Sequence, residues 1–136
     1  MTAVDLERLE FSDAWIEGER SARWRSASAL GPGTGAVASG ASMLEVDPGC
    51  RLARHTDSAE ETIVVVDGRA EVEVGDERRL LQRSGVALVP ADEPHSIRNA
   101  GTEPLRFAAV YASTDVVSTY EQPVQPGGER ERSPVA

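Results

Sequence analysis

The chain has 136 residues, of which 40% are hydrophobic and 27% charged, and it carries a formal net charge of −9 at pH 7. That length accommodates one domain with a full core, and the acidic balance weighs against nucleic acid or anionic lipid as a partner, since the summed field repels both. A single cysteine, Cys50, excludes an intramolecular disulfide framework, and no run approaches the roughly 18 apolar residues a membrane span requires. The first residues carry Asp5, Glu7 and Arg8 in place of an apolar leader. With the lone cysteine, this predicts a cytoplasmic protein that neither enters a membrane nor binds nucleic acid.

In chain order, residues 1–35 read as a polar N-terminal extension holding Trp15 and Trp24 and ending in Gly31-Pro32-Gly33-Thr34-Gly35. Ser12-Asp13 is suited to cap a short helix through Trp15 and Ile16, which Gly18 would weaken. Residues 36–113 read as short strands divided by turns. Ile63 to Val66 is β-branched, Asp67-Gly68 is a hairpin signal, and Ala70 to Val74 alternates after it. Val86 to Val89 and Leu105 to Tyr111 are further strands, with turn signals at Asp47-Pro48-Gly49, Gly75-Asp76, Ser84-Gly85 and Ala100-Gly101. This spacing predicts an all-β sandwich or barrel. Residues 114–136 form a C-terminal segment. From about Glu121 it holds Pro123, Pro126, Gly127, Gly128 and alternating Glu and Arg, too little apolar content to offset chain entropy, so a disordered tail is expected there.

The chain's two histidines lie in short segments rich in carboxylates. His55 is followed by Asp57 and Glu61, and His95 closes Pro90-Ala91-Asp92-Glu93-Pro94-His95, four residues before Asn99. On a strand, residues i and i+2 share a face, so His55 and Asp57 look the same way, while Glu61 and His95 arrive from two other strands. Two neutral imidazoles and two carboxylates make a formally neutral site around one divalent ion. That mixed nitrogen and oxygen set suits Fe(II), Mn(II), Ni(II) or Zn(II). Four protein ligands on an octahedral ion leave two positions for a bidentate substrate, or for substrate and O₂. His55, Asp57 and His95 by themselves match the two-histidine, one-carboxylate triad of non-haem iron enzymes.

Residues 48–68 resemble the first cupin motif, in which a glycine precedes His-x-His, a glutamate and a second glycine. Residues 84–99 resemble the second motif, with its proline, histidine and asparagine. The resemblance covers roughly residues 36–113. It implies a single antiparallel jelly-roll barrel binding one metal per subunit, with His55, Asp57, Glu61 and His95 as ligands and Asn99 as a strand-end residue. Asp57 stands where a second histidine is usual, Ser84 where a glycine is usual, and Asp92 in place of a turn glycine. Arg23 to Pro48 and Glu60 to Gly68 are also similar in layout to small cupins of polyketide pathways, the tetracenomycin-type cyclases.

Strand phase further predicts that Ala53, Ile63, Val65 and Ile97 line the cavity, that Arg51 lies in phase with His55 to bind a substrate carboxylate, and that Cys50 packs on the opposite side. The leading expectation is a metal-dependent oxygenase acting on a small organic molecule, with Fe(II) favoured. The alternatives are an isomerase or cyclase, in which Glu61 leaves the metal to serve as catalytic base, and a non-catalytic binding module. A homodimer is expected, with the segment before Ala36 covering a barrel face.

Overall fold

A computed structural model describes residues 1–136. Alternating apolar and polar positions organise the chain into twelve strands: β1 (Ser12–Ile16), β2 (Glu19–Leu30), β3 (Gly40–Val46), β4 (Arg51–Asp57), β5 (Glu61–Asp67), β6 (Ala70–Val74), β7 (Glu77–Leu81), β8 (Val86–Val89), β9 (His95–Asn99), β10 (Leu105–Tyr111), β11 (Ser118–Gln125) and β12 (Glu129–Arg132). The strand order is β7-β6-β9-β4-β11-β1-β2-β3-β10-β5-β8, with β12 paired to β11. One parallel bridge, Ala22 to Arg51, joins β2 to β4. All other pairings are antiparallel, and the sheet closes into the jelly-roll barrel that the motifs imply. No helix is long and apolar enough to cross a membrane.

The inward positions of the strands form one core. Ile63 and Val65 on β5 and Leu105 and Phe107 on β10 meet Leu52 on β4, Val72 on β6 and Ile97 on β9 in a single cluster of 22 buried residues. Burying each of these side chains contributes about 1.5–3 kcal/mol. Asn99 ends β9 by donating from Nδ2 to the carbonyls of Val46 (2.9 Å) and Glu103 (2.8 Å), while its Oδ1 accepts from the Gly101 amide (2.9 Å). The hairpin between β5 and β6 needs Gly68. Its φ is +87°, and a Cβ there would stand 2.7 Å from the Pro104 carbonyl oxygen.

Two expectations are corrected. Ser12 to Ile16 is a strand and not a helix: it pairs antiparallel with β2, and Ala14 and Ile16 are buried on one face while Asp13 before them and Trp15 between them are less so. The C-terminal segment is ordered. β11 lies between β4 and β1, and Tyr120, Val124 and Val135 all enter the core. Averaged composition hides this. A strand flanked on both sides has its backbone hydrogen bonds satisfied by its neighbours, so a few apolar residues on one face suffice to hold it. Gly40 clears room for the end of the segment, since a Cβ there would lie 2.9 Å from Val135 Cγ1.

Residues 1–35 supply β1 and β2, and Trp24 is 2% exposed, inside the core. The leading residues cross the outside of the barrel, where Glu7 pairs with Arg106 at 2.8 Å and Thr2 Oγ1 donates to the Thr34 carbonyl at 3.1 Å. Glu7 is well exposed, so its pair adds little stability. Val124→Ala should lower the unfolding free energy by about 2 kcal/mol through lost burial and the cavity left behind. Urea denaturation measures this, and a change within about 0.5 kcal/mol, the range of ordinary surface substitutions, would show that β11 does not belong to the cooperative unit.

Candidate metal centre

The site begins with an irregularity in β4. Leu52 pairs with Ile97 and His55 with His95, so three steps on β4 match two on β9. This one-residue bulge reverses the strand's phase. Leu52 and His55 both face inward, whereas Arg51, Ala53 and Arg54 line a groove of about 470 Å³ on the outer face. Arg51 is therefore not brought to the histidines. It binds Glu19 and Ser21, each at 2.6 Å. Ala53, 7% exposed, edges that groove but belongs to the buried core, as do Ile63, Val65 and Ile97, and none of the four lines the cavity beside His55. Cys50 packs against the core cluster.

After the bulge, regular alternation points both His55 and Asp57 inward, 4% and 2% exposed. Glu61, 2% exposed, enters from the first position of β5. His95, fully buried, opens β9 after the turn at Pro90–Pro94. Asp92 adopts a left-handed φ of +64° in that turn, a conformation aspartate accepts more readily than most residues, and its amide donates to the Asp57 carbonyl at 2.8 Å. The turn that positions His95 is thus tied to the strand end that positions Asp57.

Ligand atoms of His55, Asp57 and His95 all lie within 4.8 Å of one another. His95 Nε2 is 3.2 Å from Asp57 Oδ2, His55 Nε2 is 3.5 Å from the same oxygen, and Glu61 Oε1 approaches His95 Nε2 at 3.0 Å. Each imidazole turns its Nδ1 to a backbone carbonyl, His55 to Ala53 (2.7 Å) and His95 to Glu93 (2.9 Å). With a proton on each Nδ1, both Nε2 lone pairs face the cluster, the arrangement by which carbonyls orient metal-ligating histidines. Asp57 Oδ2, Glu61 Oε1 and His95 Nε2 are buried without a hydrogen-bond partner. Buried polar atoms are seldom left so, and these three are donors of the kinds a divalent ion takes. The residues present therefore fit a metal.

Further groups were not legible as site residues. Ser118 Oγ donates a very short hydrogen bond to Asp57 Oδ1. Tyr120 stacks on His55 with centroids 4.6 Å apart, and Trp24 stacks on Tyr120 at 5.5 Å. Tyr111 pairs across the sheet with Glu61. The alternation of Ser118 and Tyr120 was the available signal, masked by its place just before the low-complexity stretch. Trp24, Leu44, Leu52, Tyr111, Ser118 and Tyr120 line a cavity of about 220 Å³ that opens onto His55.

Burial by itself would raise the Asp57 carboxyl and lower the His95 imidazole, but their mutual contacts outweigh it. Asp57 is held well below the usual carboxylate range by His55 and His95, and His95 is pushed up to about 10 by Asp57 and Glu61. Burial, reinforced by the carboxylates of Asp57 and Glu61, raises both tyrosine hydroxyls, so Tyr111 and Tyr120 stay protonated near neutrality.

Comparison with known proteins identifies the class. The family model for the cupin domain matches residues 42–111, just over half of the chain, and the chain belongs to the cupin family. Oxalate decarboxylase from Lactobacillus farciminis, solved as a formate complex, superposes with a TM-score of 0.70 at 22% identity over 85% of this chain and 34% of that one. The polyketide cyclase RemF from Streptomyces resistomycificus gives 0.67 at 21% identity over 85% and 83%. A cupin domain from Schizosaccharomyces pombe gives 0.66 at 19% identity over 82% and 73%. The chain spans about a third or less of the oxalate decarboxylase chains it matches. A search of curated proteins gives no significant match.

The charge state of the cluster predicts how metal-free protein responds to pH. His95 is raised above its ordinary 6.5, so its stabilising contribution is complete below about pH 6.5 and is lost as pH rises towards 10. Asp57 is lowered below 3.8, so its contribution is present above that value and is lost as pH falls. Chelator-treated protein should therefore melt at progressively lower temperature between pH 6.5 and 10. A His95→Gln variant should lack that slope, and an identical slope in the variant would refute the assignment.

Proposed function

We propose that the chain is a metal-dependent cupin enzyme acting on a small organic molecule, in which His55, Asp57, His95 and Glu61 hold one divalent ion. The observation that carries this reading is the set of three buried, unpartnered ligand atoms facing one another across the cluster. Fe(II) remains the favoured ion on ligand type, with Mn(II), Ni(II) and Zn(II) as alternatives. A related structure is described as holding Mn(II) centres in Bacillus subtilis oxalate decarboxylase, which supports a divalent ion in this fold. Elemental analysis should find close to one metal per chain in wild type and in Asp57→His, and almost none in the His55→Ala/His95→Ala variant. Equal metal in all three would sink the site.

When bound, such an ion supplies Lewis acidity and, if redox-active, one-electron chemistry with O₂. The chain's own groups do the rest. His55 and His95 are held in one tautomer by the Ala53 and Glu93 carbonyls. Ser118 fixes the Asp57 carboxylate through Oδ1 and leaves Oδ2 facing the cluster. Glu61, the one carboxylate arriving from β5, would act as a base only on leaving the ion. Trp24, Leu44, Leu52 and Tyr120 form the apolar part of the cavity wall beside His55.

Within this class we favour an oxygenase, because two histidines and a carboxylate form the donor triad of non-haem iron chemistry. The second reading is a cyclase or isomerase, supported by the match to RemF along most of both chains and by Glu61 as a base. The two separate cleanly. Turnover by an oxygenase should consume O₂ with the ferrous protein and stop with zinc, while product formed under argon by the zinc form would overturn it and favour the cyclase. A binding module would return its ligand unchanged with either metal.

The reading places the enzyme in the cytoplasm, consistent with one unpaired cysteine. It also includes a homodimer, supported by the exposed aliphatic side chains of Val86 and Leu88 on β8 and Val110 on β10, the two strands that flank β5. Light scattering should return twice the 14.5 kDa chain mass, and a monomer would remove that part.

A further inference from the structure

The cavity beside His55 has one arginine in its wall. Arg132 ends β12 directly opposite Ser118 on β11, and directly opposed residues send their side chains to the same face of a sheet. Ser118 points inward to Asp57, so Arg132 leaves the sheet on the side of the metal cluster, and it lines the same cavity as His55, Tyr111 and Tyr120. Its charge is felt at the Tyr120 hydroxyl.

Arg132 makes no ion pair and no side-chain hydrogen bond. The arginines of the large outer groove all do: Arg51 with Glu19, Arg54 and Arg78 with Glu73, and Arg98 with Glu71. In a chain of net charge −9, acidic partners are abundant, yet this half-buried guanidinium at the cavity has none. Apart from His55 and the tyrosines, the other ionisable side chain in the wall is Glu10, which is exposed and does not pair with Arg132. A guanidinium presents a planar fork of donors that matches a carboxylate. The cavity, about 220 Å³, is below the roughly 300–1,000 Å³ of drug-sized pockets, so the ligand is small.

We infer that Arg132 is the anion-recognising residue of the site, and that the substrate is a small carboxylate, its charged group held by Arg132 while the remainder faces the metal cluster along the Trp24, Leu44 and Leu52 wall. This rests on the metal-dependent reading for what happens to the substrate, but not for its binding. Apolar residues select the carbon skeleton, and the one free cation selects charge.

The test uses the full chain as purified, with malonate as the probe and malonamide as its uncharged counterpart, followed by calorimetry. Malonate should bind wild type and malonamide should bind at least about tenfold more weakly, as expected for loss of a charge-assisted hydrogen bond. Arg132→Gln should lose malonate affinity by about tenfold or more and become indifferent to the probe's charge. Arg132→Lys should recover part of it. Metal content, measured in parallel, should be unchanged in both variants, and matching circular dichroism and melting curves establish that β12 is intact. Arg51→Gln, on the outer groove, should bind malonate as wild type does. Malonate binding that is equal in wild type and Arg132→Gln, or absent from wild type, would overturn the inference. Wild type that holds no metal yet binds malonate through Arg132 would overturn the metal reading and leave the anion site standing.

Discussion

Four ionisable side chains packed inside an apolar barrel set the terms for the rest of the structure. Burying a charge without a partner is among the costliest things a fold can do, and removing one member of a buried charged group typically costs about 3–5 kcal/mol. His55, Asp57, Glu61 and His95 are tolerated because they face one another, and because three of their remaining polar atoms are satisfied from outside the cluster. The Ala53 and Glu93 carbonyls take the two Nδ1 positions, and Ser118 takes Asp57 Oδ1. What is left over is a set of lone pairs aimed at one another. The barrel's local irregularities serve that end: the β4 bulge aims His55, and the left-handed Asp92 turn aims His95.

Asp57 in place of the more usual histidine changes the character of that set. Two carboxylates opposite two imidazoles neutralise a divalent ion, and in its absence they hold a proton on His95 instead. The same oxygen, Asp57 Oδ2, stands 3.5 Å and 3.2 Å from the two histidines. It is the point around which the cluster is organised, and its carboxylate is braced from the side of β11.

Much of this was legible from the residues. The strands Ala70–Val74, Val86–Val89 and Leu105–Tyr111 stand as their alternation indicated, and the histidine and acid spacings located the three residues that converge. Two kinds of information were not legible. A bulge inserts one residue and inverts phase for everything on one side of it, so strand periodicity carried Arg51 to the wrong face, and Ala53, Ile63, Val65 and Ile97 are buried in the core without lining the cavity beside His55. The other is order lent by neighbours. Residues from about Glu121 hold too few apolar groups to look folded, yet β11 has a slot between β4 and β1. Composition describes what a segment brings, not what the rest of the barrel provides. Tyr120, Ser118 and Arg132 were hidden for that reason.

The insertion of β11 between β1 and β4 has a consequence for how the protein is made. β1 and β4 both precede residue 58, but the strand that joins them, β11, begins only at Ser118 and is synthesised well after both. Until it is in place, His55 lacks the Tyr120 ring that covers it and Asp57 lacks its hydroxyl partner. Pairings so distant in sequence form slowly, because loop closure precedes any gain from contact. Whatever order the other strands take, the covered side of the cluster is complete only once β11 has docked.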